Sequence, residues 1–264
     1  MTTPDAPPIA EFTVDSLRVV IHEGRASMGR AAASEVARAV AARQAEAPFA
    51  NVVFAAAPSQ DEFLAALIAY HGIDWSRVIG FHMDEYLGLG PDHPASFRRY
   101  LNERLFRLAG LGPDRLRLIP GEESERPLRT ALAYEDRLRA EPVDVVCAGI
   151  GENGHLAFND PPVADFLDPV LVKVVRLDAA CREQQLHDGC FDRIEEVPTH
   201  AFTLTVPALL AASTLTVVVP GPRKADAVLA TVRGPIGEHC PATALRRHPG
   251  ATLHLDRESA RLLI

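Results

Sequence analysis

Two adjacent carboxylates, Asp84 and Glu85, follow a short apolar stretch at which a buried strand is expected to end. Neighbouring side chains in an extended chain point to opposite faces, so only one of the two can easily face a given pocket. A carboxylate in a pocket is suited to general acid–base catalysis, because it can take up and return a proton. The alternative is an ordinary polar strand end that caps a helix, and position alone leaves both interpretations open.

A glycine-rich segment at residues 149–161 follows the most apolar strand predicted for the chain. Its glycines permit positive φ angles and close approach of the backbone to a ligand, and they leave amide groups free for oxyanions. His155 follows Asn153 by two residues and precedes Asp160 by five. A carboxylate near a histidine fixes its tautomer and raises its basicity. The alternative is a glycine turn with a structural histidine; the GxGxxG match is weak evidence for a dinucleotide, because prolines follow it.

Two further junctions between a strand and a helix could bind an anion. Ser59 and Gln60 precede a predicted helix, whose N-terminus favours a phosphate. Arg223 and Lys224 follow a predicted strand and start a helix, where the dipole disfavours cations unless an anion binds there. A plain helix cap and a solvated basic turn are the alternatives.

These candidate residues must be positioned by a pattern of short apolar runs that alternate with helical segments. The pattern predicts an α/β fold with a mostly parallel sheet covered on both faces. In such sheets ligands bind at the carboxyl ends of the strands. Strands are predicted at residues 17–21, 52–57, 78–81, 116–119, 143–148, 170–175, 202–206, 215–219 and 252–255, and helices at 25–46, 61–70, 96–108, 128–138, 179–187 and 223–233. The candidate residues follow several of these strands directly.

Composition narrows the class of protein. The net charge of −8 and pI near 5.7 argue against broad nucleic-acid or anionic-membrane binding. The four cysteines form no CxxC pair or zinc spacing, which fits reduced thiols in the cytoplasm. No run is long and apolar enough to predict a transmembrane helix. We expect one domain over residues 1–264, with a flexible start at residues 1–11, and no metal or cofactor; assembly into a homo-oligomer stays open.

Two long motifs in the same order resemble the glucosamine-6-phosphate deaminase family. The strand end MDEYLGL, followed by His93-Pro94 and Ser96-Phe97, is similar to one signature of that family, and GIGENGHLAFNDP is similar to its glycine loop. The resemblance extends over nearly the whole chain, from about residue 17 to 256. It implies a modified Rossmann-like, three-layer α/β sandwich and a sugar-phosphate substrate.

The resemblance also implies roles for individual residues. Asp84 matches the base that moves a proton between sugar carbons 1 and 2, and His155 matches the histidine that opens the ring. Asp160 matches the acidic partner of that histidine, Asn153 matches a position that is Asn or Asp, and Lys224 matches a phosphate-binding lysine. The residues predicted to bind the substrate are Ser59, Gln60, Glu85, Gly151, Gly154, Arg182 and Lys224.

The chain departs from the family pattern at three places. Asp160 is one methylene shorter than the usual glutamate, Pro58-Ser59-Gln60 replaces a glycine-rich phosphate loop, and Gln185 falls where an arginine is common. We therefore expect Arg182 or Arg223 to supply a second cation. Two other functions stay open: a 6-phosphogluconolactonase-type hydrolase, which tends to carry Asp-Glu-Arg at the first motif, and a non-catalytic sugar-phosphate sensor, which should have lost the base or the histidine.

Overall fold

An eight-stranded sheet forms the centre of the computed structural model, which describes residues 7–264. Its strands are β1 (Ala10–Val14), β2 (Leu17–His22), β3 (Ala50–Phe54), β4 (Val78–His82), β6 (Leu116–Arg117), β7 (Val145–Ala148), β10 (Thr214–Val219) and β11 (Ala251–Asp256). They lie in the order β1-β2-β11-β10-β7-β3-β4-β6. Only β1 and β2 pair antiparallel, and the other neighbours are parallel. The predicted mostly parallel sheet is confirmed.

Helices cover both faces of this sheet and complete three layers. They are α1 (Arg25–Glu46), α2 (Asp61–Ala69), α3 (Phe97–Leu101, continued by a π-helical turn at Asn102–Phe106), α4 (Pro127–Ala140), α5 (Ala179–His187), α6 (Val206–Leu210) and α7 (Ala225–Arg233). One apolar core lies under α1, α2 and α3, and the other lies under α4, α6 and α7. None of the helices between residues 7 and 264 has the length and hydrophobicity that a membrane crossing requires.

The valine-rich central strands explain why both faces are covered. Successive side chains of a strand point to opposite faces. In β7, Val146 therefore packs into one core while Val145 and Cys147 pack into the other. A strand that is apolar on both sides is stable only inside a covered, mostly parallel sheet. These strands end where the chain becomes polar, and the predicted site residues follow there.

A second, antiparallel sheet begins directly after β4 and was not predicted. It consists of β5 (Asp84–Tyr86), β9 (His200–Leu204) and β8 (Val172–Arg176), in that order. β4 ends at His82, two residues before Asp84, and Asp84 pairs with Thr203 of β9. The backbone around Asp84 is therefore fixed by the central sheet on one side and by the antiparallel sheet on the other. This sheet positions the first candidate carboxylate.

The N-terminal segment differs in part from the expectation. The flexible start was predicted for residues 1–11, of which residues 1–6 lie outside the described part of the chain. Ala10 and Glu11 belong to β1, which pairs with β2 through a hairpin. Asp15 provides the turn at φ 51°, a left-handed conformation that aspartate tolerates better than most residues.

Candidate active site

A cavity opens at the carboxyl ends of β3, β4, β7 and β10. Each strand delivers one of the predicted segments to its wall: Ser59 and Gln60 after β3, Asp84 after β4, His155 after β7, and Lys224 after β10. The sequence separates these segments by up to 165 residues, counted from 59 to 224. The parallel sheet brings them together, as the position of ligand sites in such sheets predicts.

The two adjacent carboxylates point in opposite directions. Asp84 lines the cavity. Glu85 is completely buried and accepts hydrogen bonds from Ser96 Oγ (2.8 Å) and from the backbone amides of Phe97 (3.2 Å) and Arg98 (3.1 Å). It therefore caps the N-terminus of α3, where a negative charge is favoured. Glu85 is not among the residues that line the cavity, so the structure does not bring it together with the other residues predicted to bind the substrate.

Asp84 lies in an environment that disfavours its charge. It is 7% exposed, and burial raises its pKa well above the ordinary 3.8, with a smaller contribution from the Glu85 charge. A carboxylate made more basic in this way is a better proton acceptor once it is ionised. The geometry thus provides a base directed into the cavity.

The glycine-rich segment places a histidine between the cavity and a buried acid. His155 Nδ1 lies 2.9 Å from Asp160 Oδ1 and 2.8 Å from Asn153 Oδ1. Asn153 Nδ2 in turn donates to Asp160 Oδ1 at 3.0 Å, which fixes the orientation of the amide. Although Asp160 is one methylene shorter than the family's glutamate, it reaches the histidine directly.

These contacts determine which nitrogen of His155 carries the proton. Nδ1 faces two acceptor oxygens, so in the neutral ring the hydrogen belongs on Nδ1. Nε2 is then the acceptor nitrogen of a ring that lines the cavity. His155 is therefore arranged to receive a proton from a bound hydroxyl and to have its positive charge stabilised by Asp160.

Two glycines of this segment were predicted to bind the substrate, and their positions differ. Gly151 lines the cavity and lies against the His155 imidazole, where an added Cβ would overlap the ring. Gly154 does not line it: at φ +83° it packs against Cys240, whose Sγ would lie 2.6 Å from an added Cβ. Gly154 thus shapes the loop and lies apart from the cavity lining to which Gly151 belongs.

Gly151→Ala is expected to lower kcat by about 10²-fold, because displacing a catalytic group by even an ångström has an effect of that size. The new methyl group would force the His155 ring away from its position. Steady-state kinetics of the variant measure the loss. Gly90→Ala is the matched control, since a Cβ there meets nothing within 4 Å. Equal activity of both variants would show that the place of the His155 ring is not critical.

The turn after β3 contributes polar groups without a helix cap. Gln60 Nε2 donates to Val218 O and to Ser59 Oγ, both at 3.2 Å. Neither side chain caps the following helix. The predicted cap is therefore absent from this turn, and the Ser59 hydroxyl stays on the cavity wall.

One of the predicted cations lies at the cavity and another does not. Lys224 is 7% exposed and lines the cavity, and within residues 7–264 its side-chain ammonium has no hydrogen-bond or ion-pair partner. Burial lowers its pKa below the ordinary 10.5, against the opposing effect of nearby Asp188 and Glu152. Arg182 instead donates to the carbonyls of Ile194 and Val197 and does not line the cavity, so the structure does not bring it together with the other predicted substrate ligands.

Several cavity residues were missed by the sequence analysis or were not given a role. They come from the end of α5 and the turn after it, and they are Gln184, Gln185, Asp188 and Cys190. Gln185 Oε1 accepts from the Tyr86 hydroxyl at 2.6 Å, and Gln184 Oε1 accepts from the backbone amide of Glu152 at 2.8 Å. No local pattern marks these residues, because only the packing of α5 over the cavity brings them there.

Among residues 7–264, one group of side chains has the donor atoms and spacing for a metal ion. It comprises His155, Asp160 and Cys181, whose donor atoms lie within 4.8 Å of one another. The direct contact between His155 and Asp160 already accounts for the arrangement of two of them as a hydrogen-bonded acid–base pair.

Comparisons with known proteins agree with this arrangement. Residues 23–168 match the family described as glucosamine-6-phosphate isomerases/6-phosphogluconolactonase. A glucosamine-6-phosphate deaminase of an Exiguobacterium species is 39% identical over 71% of this chain and 71% of its own length. That of Listeria innocua is 31% identical over 81% of this chain and 88% of its own.

A solved structure of a monomeric glucosamine-6-phosphate deaminase superposes with a TM-score of 0.83 at 28% identity, covering 92% of this chain and 99% of that one. The predicted Rossmann-like sandwich is thereby confirmed together with the sequence resemblance. The chain belongs to the glucosamine-6-phosphate isomerase/6-phosphogluconolactonase family.

Proposed function

We propose that this protein isomerises and deaminates an amino-sugar phosphate, converting glucosamine 6-phosphate or a close relative with water into a ketose phosphate and ammonia. One observation carries the proposal: a single cavity is lined by a basic carboxylate, a histidine with a buried acid behind it, and a buried ammonium without a partner among residues 7–264. These are the groups needed to move protons at one end of a sugar and to hold an anion at the other. The deaminases named above support the same activity.

Ring opening is the task of His155. Its Nε2 accepts the proton of the anomeric hydroxyl, and the imidazolium gives that proton to the ring oxygen as the ring C–O bond breaks to leave the open-chain aldehyde. Asp160 and Asn153 hold Nδ1 and stabilise the imidazolium that forms. The fixed tautomer means that no reorientation is needed before the transfer.

Isomerisation is the task of Asp84. Its carboxylate removes the proton on carbon 2 and returns it to carbon 1, which converts the aldehyde to an imine at carbon 2. Water adds to this imine, and the resulting carbinolamine loses ammonia to leave the ketone. Burial, and next the Glu85 charge, raise the pKa of Asp84 and so make its carboxylate a stronger base for this transfer.

Anchoring of the phosphate is the task of Lys224 and Ser59. Both also line an adjoining cavity, which adds the exposed guanidinium of Arg223 as a second cation. Arg223 donates only a long hydrogen bond, 3.3 Å, to the carbonyl of His187 and can turn toward an anion. A phosphate held at this end fixes carbon 2 near Asp84 and lowers the entropic cost of the reaction.

An ammonia-release assay over a panel of amino-sugar phosphates, with 6-phosphogluconolactone assayed in parallel, tests the proposal. We expect turnover of at least one amino-sugar phosphate and little hydrolysis of the lactone. Lactone hydrolysis without ammonia release would assign the chain to the hydrolase branch of the family. Binding of sugar phosphates without any turnover would identify a sensor instead.

The pH dependence should show the raised pKa of Asp84. The carboxylate is the active form, so kcat/KM should rise as the pH increases through the pKa of Asp84 and fall toward acid. The acid limb should therefore lie well above 3.8, the ordinary pKa of an aspartate. Circular dichroism over the same range confirms that the protein stays folded. A constant kcat/KM down to the ordinary aspartate pKa would contradict the role of Asp84.

His155 and Asp160 are expected to act as one unit. Each of the single changes His155→Gln and Asp160→Asn should lower kcat by about 10²-fold or more, and the double variant should lose little beyond the larger single loss. A double-mutant cycle on log kcat measures this coupling. Additive losses would show that the two residues act separately and would leave Asp160 with a structural role.

A further inference from the structure

The buried acid behind His155 has one oxygen that its known partners do not use. Asp160 is fully buried. Its Oδ1 receives both the Asn153 amide at 3.0 Å and the His155 ring at 2.9 Å. Among residues 7–264, no N–H or O–H group donates a hydrogen bond to its Oδ2. A buried carboxylate oxygen without a donor is costly, so the group beside it is of interest.

That group is the thiol of Cys181, in the first turn of α5. Asp178 caps this helix by accepting the amide of Ala180, which fixes the start of α5 and the place of Cys181. The thiol is 1% exposed, and its sulfur, a carboxylate oxygen of Asp160 and a ring nitrogen of His155 lie within 4.8 Å of one another. The thiol therefore lies beside the Asp160–His155 pair, and it is not among the residues that line the cavity.

The protonation states suit a hydrogen bond from sulfur to oxygen. Burial, and next the charge of Asp160, raise the pKa of the Cys181 thiol, so it keeps its proton. Burial raises the pKa of Asp160, but the neighbouring His155, Asn153 and Cys181 side chains outweigh this effect and the pKa is lowered. Asp160 is thus a carboxylate facing an S–H donor.

We propose that Cys181 is a positioning residue for the proposed reaction: its S–H donates to Oδ2 of Asp160 and holds the carboxylate against Nδ1 of His155 during ring opening. The inference rests on the proposed function. A thiol is a weak donor, so it orients the carboxylate without withdrawing much of the negative charge that stabilises the imidazolium. It also packs as a small apolar group where a lysine or arginine could not.

The test is a double-mutant cycle between Cys181→Ala and Asp160→Asn, with thermal stability measured alongside. Removing the donor should lower kcat about 5- to 10-fold, the effect of leaving one buried acceptor without a partner, with KM changed by less than about twofold. In the Asp160→Asn background, Cys181→Ala should cause no further loss. Cys181→Ser keeps a donor and should recover most of kcat.

Cys147→Ala is the matched control, because Cys147 is a buried thiol on β7 packed into the core under α1. It should leave kcat unchanged. An unchanged kcat in Cys181→Ala would overturn the proposal, and so would an equal loss in the wild-type and Asp160→Asn backgrounds, which indicates packing alone. If Asp160→Asn itself keeps full activity, the proposed function of the His155–Asp160 pair fails instead, so the two failures are distinguishable.

Discussion

Asp84→Asn is expected to fold normally and to lose about 10³-fold or more in kcat for deamination, near the upper part of the range for a positioned base. The amide has the same shape as the carboxylate but cannot take the proton from carbon 2. Because Asp84 is 7% exposed and its charge is disfavoured by burial, the neutral side chain should leave the free energy of unfolding unchanged or increase it. Ammonia release and thermal unfolding of the purified variant give both quantities.

The neighbouring Glu85→Gln is the matched control for this prediction. It also removes a carboxylate from the same strand, but Glu85 holds the start of α3 through Ser96 and the amides that follow. Its loss should lower the melting temperature while kcat stays within about tenfold of wild type. If Asp84→Asn retained more than a tenth of wild-type kcat, another group would have to be the base.

Asp84 and Glu85 point in opposite directions, and the difference shows what the sequence alone can predict at a strand end. Alternation along an extended chain predicted that only one carboxylate could face the pocket, and this is confirmed. Alternation does not say which one. The choice depends on β5, a three-residue strand, and on the N-terminus of α3, which lies beside Glu85 only in the folded protein.

The long, strongly patterned elements were predictable from local sequence. The helices Arg25–Glu46 and Ala179–His187 have the predicted bounds, and the buried valine-rich strands lie where their apolar runs indicated. The antiparallel sheet β5-β9-β8 was not predicted, because its strands pair across more than a hundred residues of chain, from 84 to 203, and β5 has no periodicity of its own.

The sequence predicted the chemical groups of the candidate site better than it predicted the full set of residues that line the cavity. Residues that follow parallel strands were placed correctly because the topology fixes their common edge. Arg182 was misplaced because helical spacing alone cannot say whether a side chain faces the cavity or the carbonyls of the next loop. Asp188 lies at the cavity only because α5 packs over it, and no local signal marks that position.

Lys224→Ala is expected to lower kcat/KM for a phosphorylated amino sugar by about 10³-fold, the scale reached when one partner of a buried charge pair is removed. Lys224 is largely buried, and within residues 7–264 Asp188 and Glu152 act on its ammonium through their charges alone, so a bound anion would add a direct partner. Most of the loss should appear in KM. Part should appear in kcat, because phosphate binding orients the reacting carbons toward Asp84.

Steady-state kinetics with the phosphorylated and the unphosphorylated sugar decide between binding of phosphate and a general structural effect. The unphosphorylated sugar should be a very poor substrate of the wild type, and the substitution should hardly change its kcat/KM, since it offers no phosphate to hold. Arg223→Ala is the matched control on the same turn, and its exposed guanidinium should matter by about tenfold or less. Equal losses of kcat/KM on both sugars in Lys224→Ala would show that the lysine supports the structure of the cavity and does not bind phosphate. A phosphate group would then no longer be part of the proposed substrate.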